Sequence, residues 1–455
     1  MEHLPIEIIK IIIDYKKKIT IPLTSLNKKL YSYRKFFIIN LNCQKIDRFV
    51  TEFQIDNLYN ASNLSLIKNS FKKIIFSDSF DKKIDGLPEN ITHLTFGKKF
   101  NQQINNLPKN ITHLTFGKKF NQQINNLPKN ITHLTFGENF DEPINDLPKN
   151  ITHLTFGCYF NQCVNNLPKT IIHLIFGNNF NQYVNNLPNN ITHLTFGNTF
   201  NKEINDLPNN IIYLTFGDKF NKNVDNLSQS ITCLTFGDKF DQNVDNLPQS
   251  ITCLTFGRFF DKKVNNLPKN LTYLTFGYYF NQEINNLPKN ITYLTFGNKF
   301  NQKINNLPKN ITHLNFGDNF DQLFGPKPSN DLIFGDNFNK EINIASLTLG
   351  YHFNKNVDLL PENLTHLKFG FKFNLSVNYL PKNITHLTFG FSFNQEINNL
   401  PKNIIRITFG YCFNQKIDNL PKSMTRVFLG GQFNQKINNL TKNITHLTLG
   451  YHFNQ

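Results

Sequence analysis

The chain of 455 residues contains no tryptophan, and alanine occurs only at Ala61 and Ala345. It has no apolar run that approaches the roughly 20 residues needed to cross a bilayer. The first residues, MEHLPIEIIKIIIDY, include acidic side chains and are not followed by a small-residue cleavage site. These absences predict an intracellular, cytoplasmic protein that has no membrane partner.

Cysteine is also scarce, and the six cysteines form no C-x-x-C pair and no regular framework, which argues against a disulfide scaffold or a zinc site. They are Cys43, Cys158, Cys163, Cys233, Cys253 and Cys412. The sequence also lacks paired carboxylates, a glycine-rich phosphate loop, an HExxH motif and a nucleophile motif. We therefore expect a protein that is not an enzyme and that carries no cofactor and no metal.

Positive charge exceeds negative charge by 16, and the excess is uneven along the chain. Residues 1–76 hold 13 Lys and Arg against 6 Asp and Glu, although Lys16–Lys18 is the only tight run. A basic balance favours anionic partners in general. Binding of nucleic acid or another anionic surface is therefore kept as the alternative function.

A repeat of twenty residues dominates the chain. The phrase LTFGKKFNQ at 94–102 returns unchanged at 114–122, and its glycine recurs every 20 residues from Gly97 to Gly317 and from Gly350 to Gly450. A degenerate first copy has Ser77 at the glycine position. Counting Gly335 between the two regular series, there are about twenty copies. A fixed period of this length is typical of a repeat array that grows by stacking.

One copy, LPKNITHLTFGKKFNQQINN at 107–126, predicts a single short strand. Leu114 and Phe116 alternate with polar residues at the strand period, so they should face the core while Thr115 faces away. Gly117 should end the strand because glycine accepts a positive φ. Pro108 disfavours a helix, so the return path should be extended or 3₁₀.

A single copy cannot bury its own apolar face, whereas stacked copies can share a continuous core. The predicted fold is therefore a β-rich solenoid, a parallel-stranded, leucine-rich-repeat-like stack of about twenty 20-residue coils with a small N-terminal helical head. An Asn or Asp that recurs at the position of Asn101 should form a ladder whose side-chain oxygens accept hydrogen bonds from turn N–H groups.

The repeat is irregular at 321–346, where the glycine intervals shrink and most of the segment Asn-Asn-Leu-Pro-Lys-Asn is lost. Leu332–Phe334 and Leu347–Leu349 keep strand-like patterns. We expect these two strands to pair with each other, so that the solenoid bends or changes its twist but remains one stack.

Aromatic residues follow the glycine in several copies, mainly in the C-terminal half. Exposed aromatic side chains are frequent anchors of protein interfaces, and the alternative is that these rings form a partly buried rim. The predicted partner-binding residues are Tyr278, Tyr279, Tyr351, Phe371, Phe391 and Tyr411.

Two polar columns are further candidate sites. Histidine recurs three residues after the asparagine of the NIT phrase, from His93 to His193 and again at His313, and several other later copies have Tyr, Cys or Arg there. Stacked imidazoles could bind a transition metal, but this replacement favours an exposed sheet face. A lysine column that begins at Lys109 could follow phosphates, but the pattern favours a solvated edge that discourages aggregation.

The phrase FNQQINNLPKNITHLTFG resembles the FNIP repeat, a relative of leucine-rich repeats that is found mainly in amoebae and in the giant viruses that infect them. The resemblance covers about residues 71–455 and implies a protein-binding solenoid, in the host cytoplasm if the source is viral. The chain departs from the family name by having Gln, Lys or other residues where the name places Ile-Pro.

Residues 1–35 resemble the opening of an F-box, with Leu-Pro-x-Glu-Ile at the start and Leu-x-x-Leu-Asn-Lys after a polar break, and residues 36–70 would be a connector or cap. The resemblance implies binding of a Skp-type ubiquitin-ligase adaptor and a substrate-recruiting role for the repeats. The adaptor-binding residues that it implies are Leu4, Pro5, Ile8, Ile9, Ile12 and Leu26. The alternative is a helical cap that shields the first coil.

Overall fold

The computed structural model describes residues 52–55, 72–84, 86–304, 307–322, 343–437, 440 and 442–455. The chain divides into two compact units. The first comprises Met1–Gln182 and Asn186–Ile191, and the second comprises Tyr183–Asn185 and Thr192–Gln455.

Every described coil contributes one short strand, and no helix occurs within the described ranges. The strands of the first unit are β1 (Glu52–Ile55), β2 (Lys73–Phe76), β3 (His93–Thr95), β4 (His113–Thr115), β5 (His133–Thr135), β6 (His153–Thr155) and β7 (His173–Ile175). Those of the second are β8 (His193–Thr195), β9 (Tyr213–Thr215), β10 (Cys233–Thr235), β11 (Cys253–Thr255), β12 (Tyr273–Thr275), β13 (Tyr293–Thr295), β14 (His313–Asn315), β15 (Ser346–Thr348), β16 (His366–Lys368), β17 (His386–Thr388), β18 (Arg406–Thr408), β19 (Arg426–Phe428) and β20 (His446–Thr448).

Within each unit the strands pair in parallel with the repeat in register. Leu114 lies opposite Leu94 on one side and Leu134 on the other, and the same step of one copy relates Leu214 to Leu234. The predicted parallel, leucine-rich-repeat-like solenoid is therefore confirmed. In addition, β1 pairs with β2, so residues 36–70 contain a strand that precedes the first predicted copy.

The core is built from columns of identical side chains. In the copy at 107–126, Leu114 is 1% exposed and Phe120 is fully buried, and His113 and Thr115 are half-buried on the other face of the strand. The ring centroids of Phe116 and Phe120 lie 3.9 Å apart, and Phe116 stacks on Phe136 of the next coil at 5.7 Å. The predicted assignment of the two strand faces is confirmed.

The repeated glycine has a different cause from the one predicted. Gly86 is the one glycine with a positive φ among the described residues, and it does not belong to the repeated position. A Cβ built on Gly137 would instead overlap the backbone carbonyl of Gly117 in the preceding coil, and the same overlap recurs along the column. Glycine is required because neighbouring backbones approach closely there.

The predicted asparagine ladder is confirmed. The side-chain oxygen of Asn101 accepts a hydrogen bond of 2.9 Å from the backbone N–H of Asn121, whose own side chain accepts one of 2.9 Å from Asp141. The same bond joins Asn374 to Asn394 and Asn394 to Asn414 in the second unit. Each coil thus supplies the acceptor for the turn of the next coil.

The return path consists of turns and extended backbone, in line with the prediction from Pro108. The N–H of Ile111 donates to the carbonyl of Pro108 at 3.3 Å, which closes a turn just before the strand. A second asparagine links the return paths of successive coils: Asn130 Nδ2 donates a hydrogen bond of 2.9 Å to the carbonyl of Lys109.

The expected pairing at the irregular copies is wrong. Strand β15 pairs with β14 on one side, through Leu314 and Leu347, and with β16 on the other. Both of its edges are occupied, so the strand at Leu347 does not pair with Leu332–Phe334, which lies outside the described residues. The chain uses 33 residues instead of twenty for this single step.

The strand faces generate a prediction for stability. Leu114→Ala should lower the free energy of unfolding by about 2–5 kcal/mol, because it opens a cavity in the leucine column. His113→Ala changes the half-buried outer face and should cost far less. Thermal melts followed by circular dichroism would compare the two variants, and similar melting temperatures would show that the faces are assigned the wrong way round.

The glycine column generates a second prediction. Gly137→Ala should destabilise the protein by at least about 1–3 kcal/mol, because its Cβ meets rigid backbone rather than a movable side chain. The matched control is Gly431→Ala, whose Cβ would meet the Tyr411 ring. Since a side chain can turn aside, this control should be milder in urea denaturation. An equal loss in both variants would contradict the explanation by backbone contact.

Candidate functional site

The predicted adaptor-binding residues lie outside the described part of the chain. Leu4, Pro5, Ile8, Ile9, Ile12 and Leu26 all fall within residues 1–51. The helical head and the F-box-like segment therefore stay predictions from the sequence.

The structure brings four of the predicted partner-binding residues together in the second unit. The rings of Tyr351, Phe371, Phe391 and Tyr411 stack in sequence, with centroid separations of 4.6, 4.5 and 5.0 Å. Tyr351, Phe391 and Tyr411 are 38–40% exposed, and Phe371 is half-buried. We call these four residues the aromatic column.

Backbone hydrogen bonds set the spacing of the aromatic column. The carbonyl of Tyr351 accepts a bond of 2.9 Å from the N–H of Lys372, and the carbonyl of Phe371 accepts one of 2.9 Å from Ser392. Each ring is attached to a turn whose backbone is hydrogen-bonded to the turn of the next coil. The rings therefore need little additional ordering when a partner binds. The result is a rigid, exposed apolar strip.

The aromatic column ends at a glycine. The next coil has Gly431 at this position, and a Cβ there would overlap the ring of Tyr411. The Tyr411 ring also makes an edge contact with His452 at a centroid distance of 6.5 Å. The absence of a side chain at Gly431 thus leaves the ring of Tyr411 room to lie over the following coil.

Tyr278 and Tyr279 form a separate cluster in the same unit. Tyr279 stacks on Phe259 at 5.1 Å, and the Arg258 guanidinium lies 5.2 Å from the centroid of the Tyr278 ring and 5.8 Å from that of Tyr279. The sequence prediction missed Arg258 and Phe259, although RFF at 258–260 aligns with YYF one copy later. Comparing the two residues after the glycine in every copy, and not only the first, would have identified both residues.

The coils between these two groups carry polar side chains at the same position. Asn298 donates a side-chain hydrogen bond to the carboxylate of Asp318, and Asp318 accepts one of 2.8 Å from the N–H of His352 through its carbonyl. The six predicted partner-binding residues therefore form two patches and not one continuous surface.

The histidine column of the first unit is a stack of imidazoles. His93, His113, His133 and His153 follow one another at centroid distances of 4.1 Å, and His173 follows at 4.3 Å. Burial lowers the pKa of His93, His113, His133 and His153. Other imidazoles of the column lower the pKa of each further, and Lys73 adds to this effect at His93.

Threonine fixes the tautomer of these imidazoles. The Thr112 hydroxyl donates to the carbonyl of Thr92 at 3.1 Å, and the same oxygen lies 2.9 Å from His113 Nδ1. Since a hydroxyl has one proton, its oxygen accepts from Nδ1–H, and the lone pair of the ring is on Nε2. The stacked rings hold these lone pairs side by side rather than converging on a shared ion.

Within the described ranges, no group of three or more His, Cys, Asp or Glu side chains is placed to hold a metal ion. The lysine column is exposed at Lys109, Lys129, Lys149 and Lys169. A helix long and apolar enough to cross a membrane is not found in the part of the chain that the structure describes.

The sequence matches a known repeat family over most of its length. The model of the FNIP Repeat matches thirteen segments, which together cover residues 83–327 and 353–432. No curated protein matches the chain.

Two solved structures are similar to the chain. The crystal structure of CroV588, described as a novel circular LRR protein structure, has 41% sequence identity to the chain and a TM-score of 0.74. The match covers 90% of this chain and 70% of the CroV588 chain. YopM from Yersinia enterocolitica WA-314 is 17% identical with a TM-score of 0.45, covering 89% of this chain and 84% of its own.

The imidazole stack generates a prediction for pH. Because the folded state lowers the pKa of these histidines below their ordinary value of about 6.5, the unfolded chain binds more protons once the pH falls below that value. The contribution of this column to the free energy of unfolding is fully present above pH ~6.5, where the imidazoles are neutral, and it is lost progressively as the pH falls towards 5. The melting temperature should therefore drop over this range.

The test is the double variant His113→Tyr with His133→Tyr, since tyrosines stack at this position in β12 and β13 at 4.3 Å. This variant should lose less melting temperature between pH 7.5 and 5 than the wild type. The matched control is His446→Tyr, an exposed histidine of β20, which should behave as the wild type does. Equal pH dependence in all three proteins would exclude the column as its source.

Proposed function

Because the chain belongs to the FNIP repeat family and its copies stack as a leucine-rich-repeat-like solenoid, we propose that it is a non-enzymatic scaffold that binds a protein partner through the aromatic column. The observation that carries this proposal is the exposed stack of Tyr351, Phe371, Phe391 and Tyr411. Aromatic side chains dominate the energetics of protein interfaces, and rigid rings lose little entropy on binding.

The cluster of Arg258, Phe259, Tyr278 and Tyr279 supports the same function. Tyrosine and arginine are enriched among the residues that contribute most to binding energy. In this cluster the guanidinium already lies over the rings, so both are held in place before a partner arrives. We assign this cluster a secondary contact in the same unit.

The second part of the proposal concerns the N-terminus. We propose that residues 1–35 bind a Skp-type adaptor through Leu4, Pro5, Ile8, Ile9, Ile12 and Leu26, which would make the chain a substrate-recruiting subunit of a cullin-type ubiquitin ligase. This part rests on the sequence resemblance to an F-box alone. The solenoid would then select the substrate.

The alternative function is binding of nucleic acid or another anionic surface. The exposed lysines at Lys109, Lys129, Lys149 and Lys169 favour it, since they are spaced at the strand separation along one edge of the first unit. Such binding weakens steeply with salt, whereas contact through the aromatic column should change little. Salt dependence therefore distinguishes the two functions.

The proposal is tested by capture of partners from a host-cell lysate with the tagged full-length chain. The double variant Phe371→Asn with Phe391→Asn should reduce capture of the target at least about tenfold, equivalent to about 1.4 kcal/mol. Asparagine occupies this position at Asn298, so the variant should fold. The matched control is Tyr379→Asn, which removes a ring that is 71% exposed and lies outside the column.

A second arm of the same experiment removes residues 1–35. The shortened chain should lose the Skp-type adaptor and keep the target. Adaptor capture without these residues would exclude the F-box assignment. Unchanged target capture by the double variant, or capture that 0.5 M salt abolishes, would overturn the protein-binding proposal.

A further inference from the structure

Two thiols lie side by side on the outer face of the second unit. Cys233 and Cys253 occupy the first position of β10 and β11, and their Cα atoms are register partners. Both side chains are half-buried and both are free thiols. Because the two residues hold the same position in parallel strands, their side chains point in the same direction from backbones about 4.7–4.9 Å apart.

The two sulfur atoms interact with each other. Burial raises the pKa of the Cys253 thiol, and the neighbouring Cys233 raises it further by charge and by a side-chain hydrogen bond. The hydroxyl oxygen of Thr232 lies 4.0 Å from Cys233 Sγ. The two thiols share the column with Tyr213 and Tyr273 on the flanking strands.

The surroundings restrict what this dithiol can bind. Among the described residues it is not joined by a third His, Cys, Asp or Glu in a ligand group. Structural zinc requires four ligands, so a pair of thiolates does not suit it. Soft thiolate ligands select soft ions such as Cu(I), and a monovalent ion of this kind can be held by two ligands alone.

The spacing favours a bridging ion over a disulfide. Side chains of directly paired parallel residues start from Cβ atoms separated by about the strand distance, whereas a disulfide prefers Cβ atoms about 3.8 Å apart. With the zinc–thiolate bond length of about 2.3 Å as a guide, two opposed sulfur–metal bonds span about 4.6 Å. That span is close to the strand separation of about 4.7–4.9 Å, so an ion can bridge the two sulfur atoms with little movement of the backbone.

We propose that Cys233 and Cys253 form a two-coordinate thiolate site for a soft monovalent cation of the Cu(I) class. On binding, both thiols release their protons and two sulfur–metal bonds form, which leaves an anionic bis-thiolate centre. The ion bridges two successive coils and so ties β10 to β11. This site is independent of the aromatic column and of the proposed partner.

The site is tested by titrating the reduced full-length protein with Cu(I) under anaerobic conditions, in competition with bicinchoninate. The wild type should bind one equivalent of Cu(I). Each of the variants Cys233→Ser and Cys253→Ser should lower the affinity for this equivalent about 100-fold or more. Serine occupies this position at Ser346 in β15, so both variants should fold. Their melting curves without copper provide the check.

The matched control replaces Cys158, Cys163 and Cys412 together by serine, which leaves the pair intact. This triple variant should keep the same equivalent of Cu(I), and Cu(I) should raise its melting temperature as it does for the wild type. The proposal is overturned if either single variant retains wild-type affinity, or if the triple variant loses the equivalent.

Discussion

The close contact between successive backbones at the repeated glycine is the constraint on which the structure depends. At this position a Cβ atom would overlap the carbonyl of the coil before it, so the coils can stack only where glycine recurs in register. Ser77 holds the glycine position in the coil of β2, and the coil that stacks on it carries Gly97, where a Cβ would overlap the Ser77 carbonyl. The close approach of the coils brings equivalent side chains of successive copies into stacking distance on the surface.

Register places like residues on like residues, with opposite effects inside and outside. In the core, columns such as Leu114 with Leu134 exclude water and leave no mismatch in volume. On the outer face the same rule stacks His113 on His133, where each imidazole opposes the charging of the next. Aromatic residues gain most from such stacking, since their rings attract one another and stay rigid at the surface.

Asparagine resolves the hydrogen-bonding demand of this arrangement. Each coil has a turn with a backbone N–H group that lies outside the short strand. The Asn or Asp side chain of the preceding coil accepts a hydrogen bond from this N–H group, as Asn101 does from Asn121. Aspartate replaces asparagine at Asp141 and accepts the same bond, because only the oxygen is needed. The ladders therefore conserve an acceptor and tolerate a charge.

The sequence by itself determined the period, the strand, the buried face and the asparagine ladder, since each is a local pattern repeated at fixed spacing. Which apolar residues are buried follows from alternation within one copy, as at Leu114 and Phe116. The register of neighbouring copies follows because slipping by one residue would turn this alternation outward. The family resemblance and the predicted solenoid needed nothing further.

Only the tertiary structure decided the role of the glycine, the partner of β15 and the grouping of the exposed side chains. Glycine looks the same in a sequence whether it adopts a positive φ or admits a neighbouring backbone, and only the stacked coils distinguish the two. A glycine interval does not reveal which strand lies next in the sheet, and β14 pairs with β15 against expectation. The dithiol and the aromatic column are formed by residues of successive coils. Their separations depend on how the coils stack, which the order of residues along one coil does not specify.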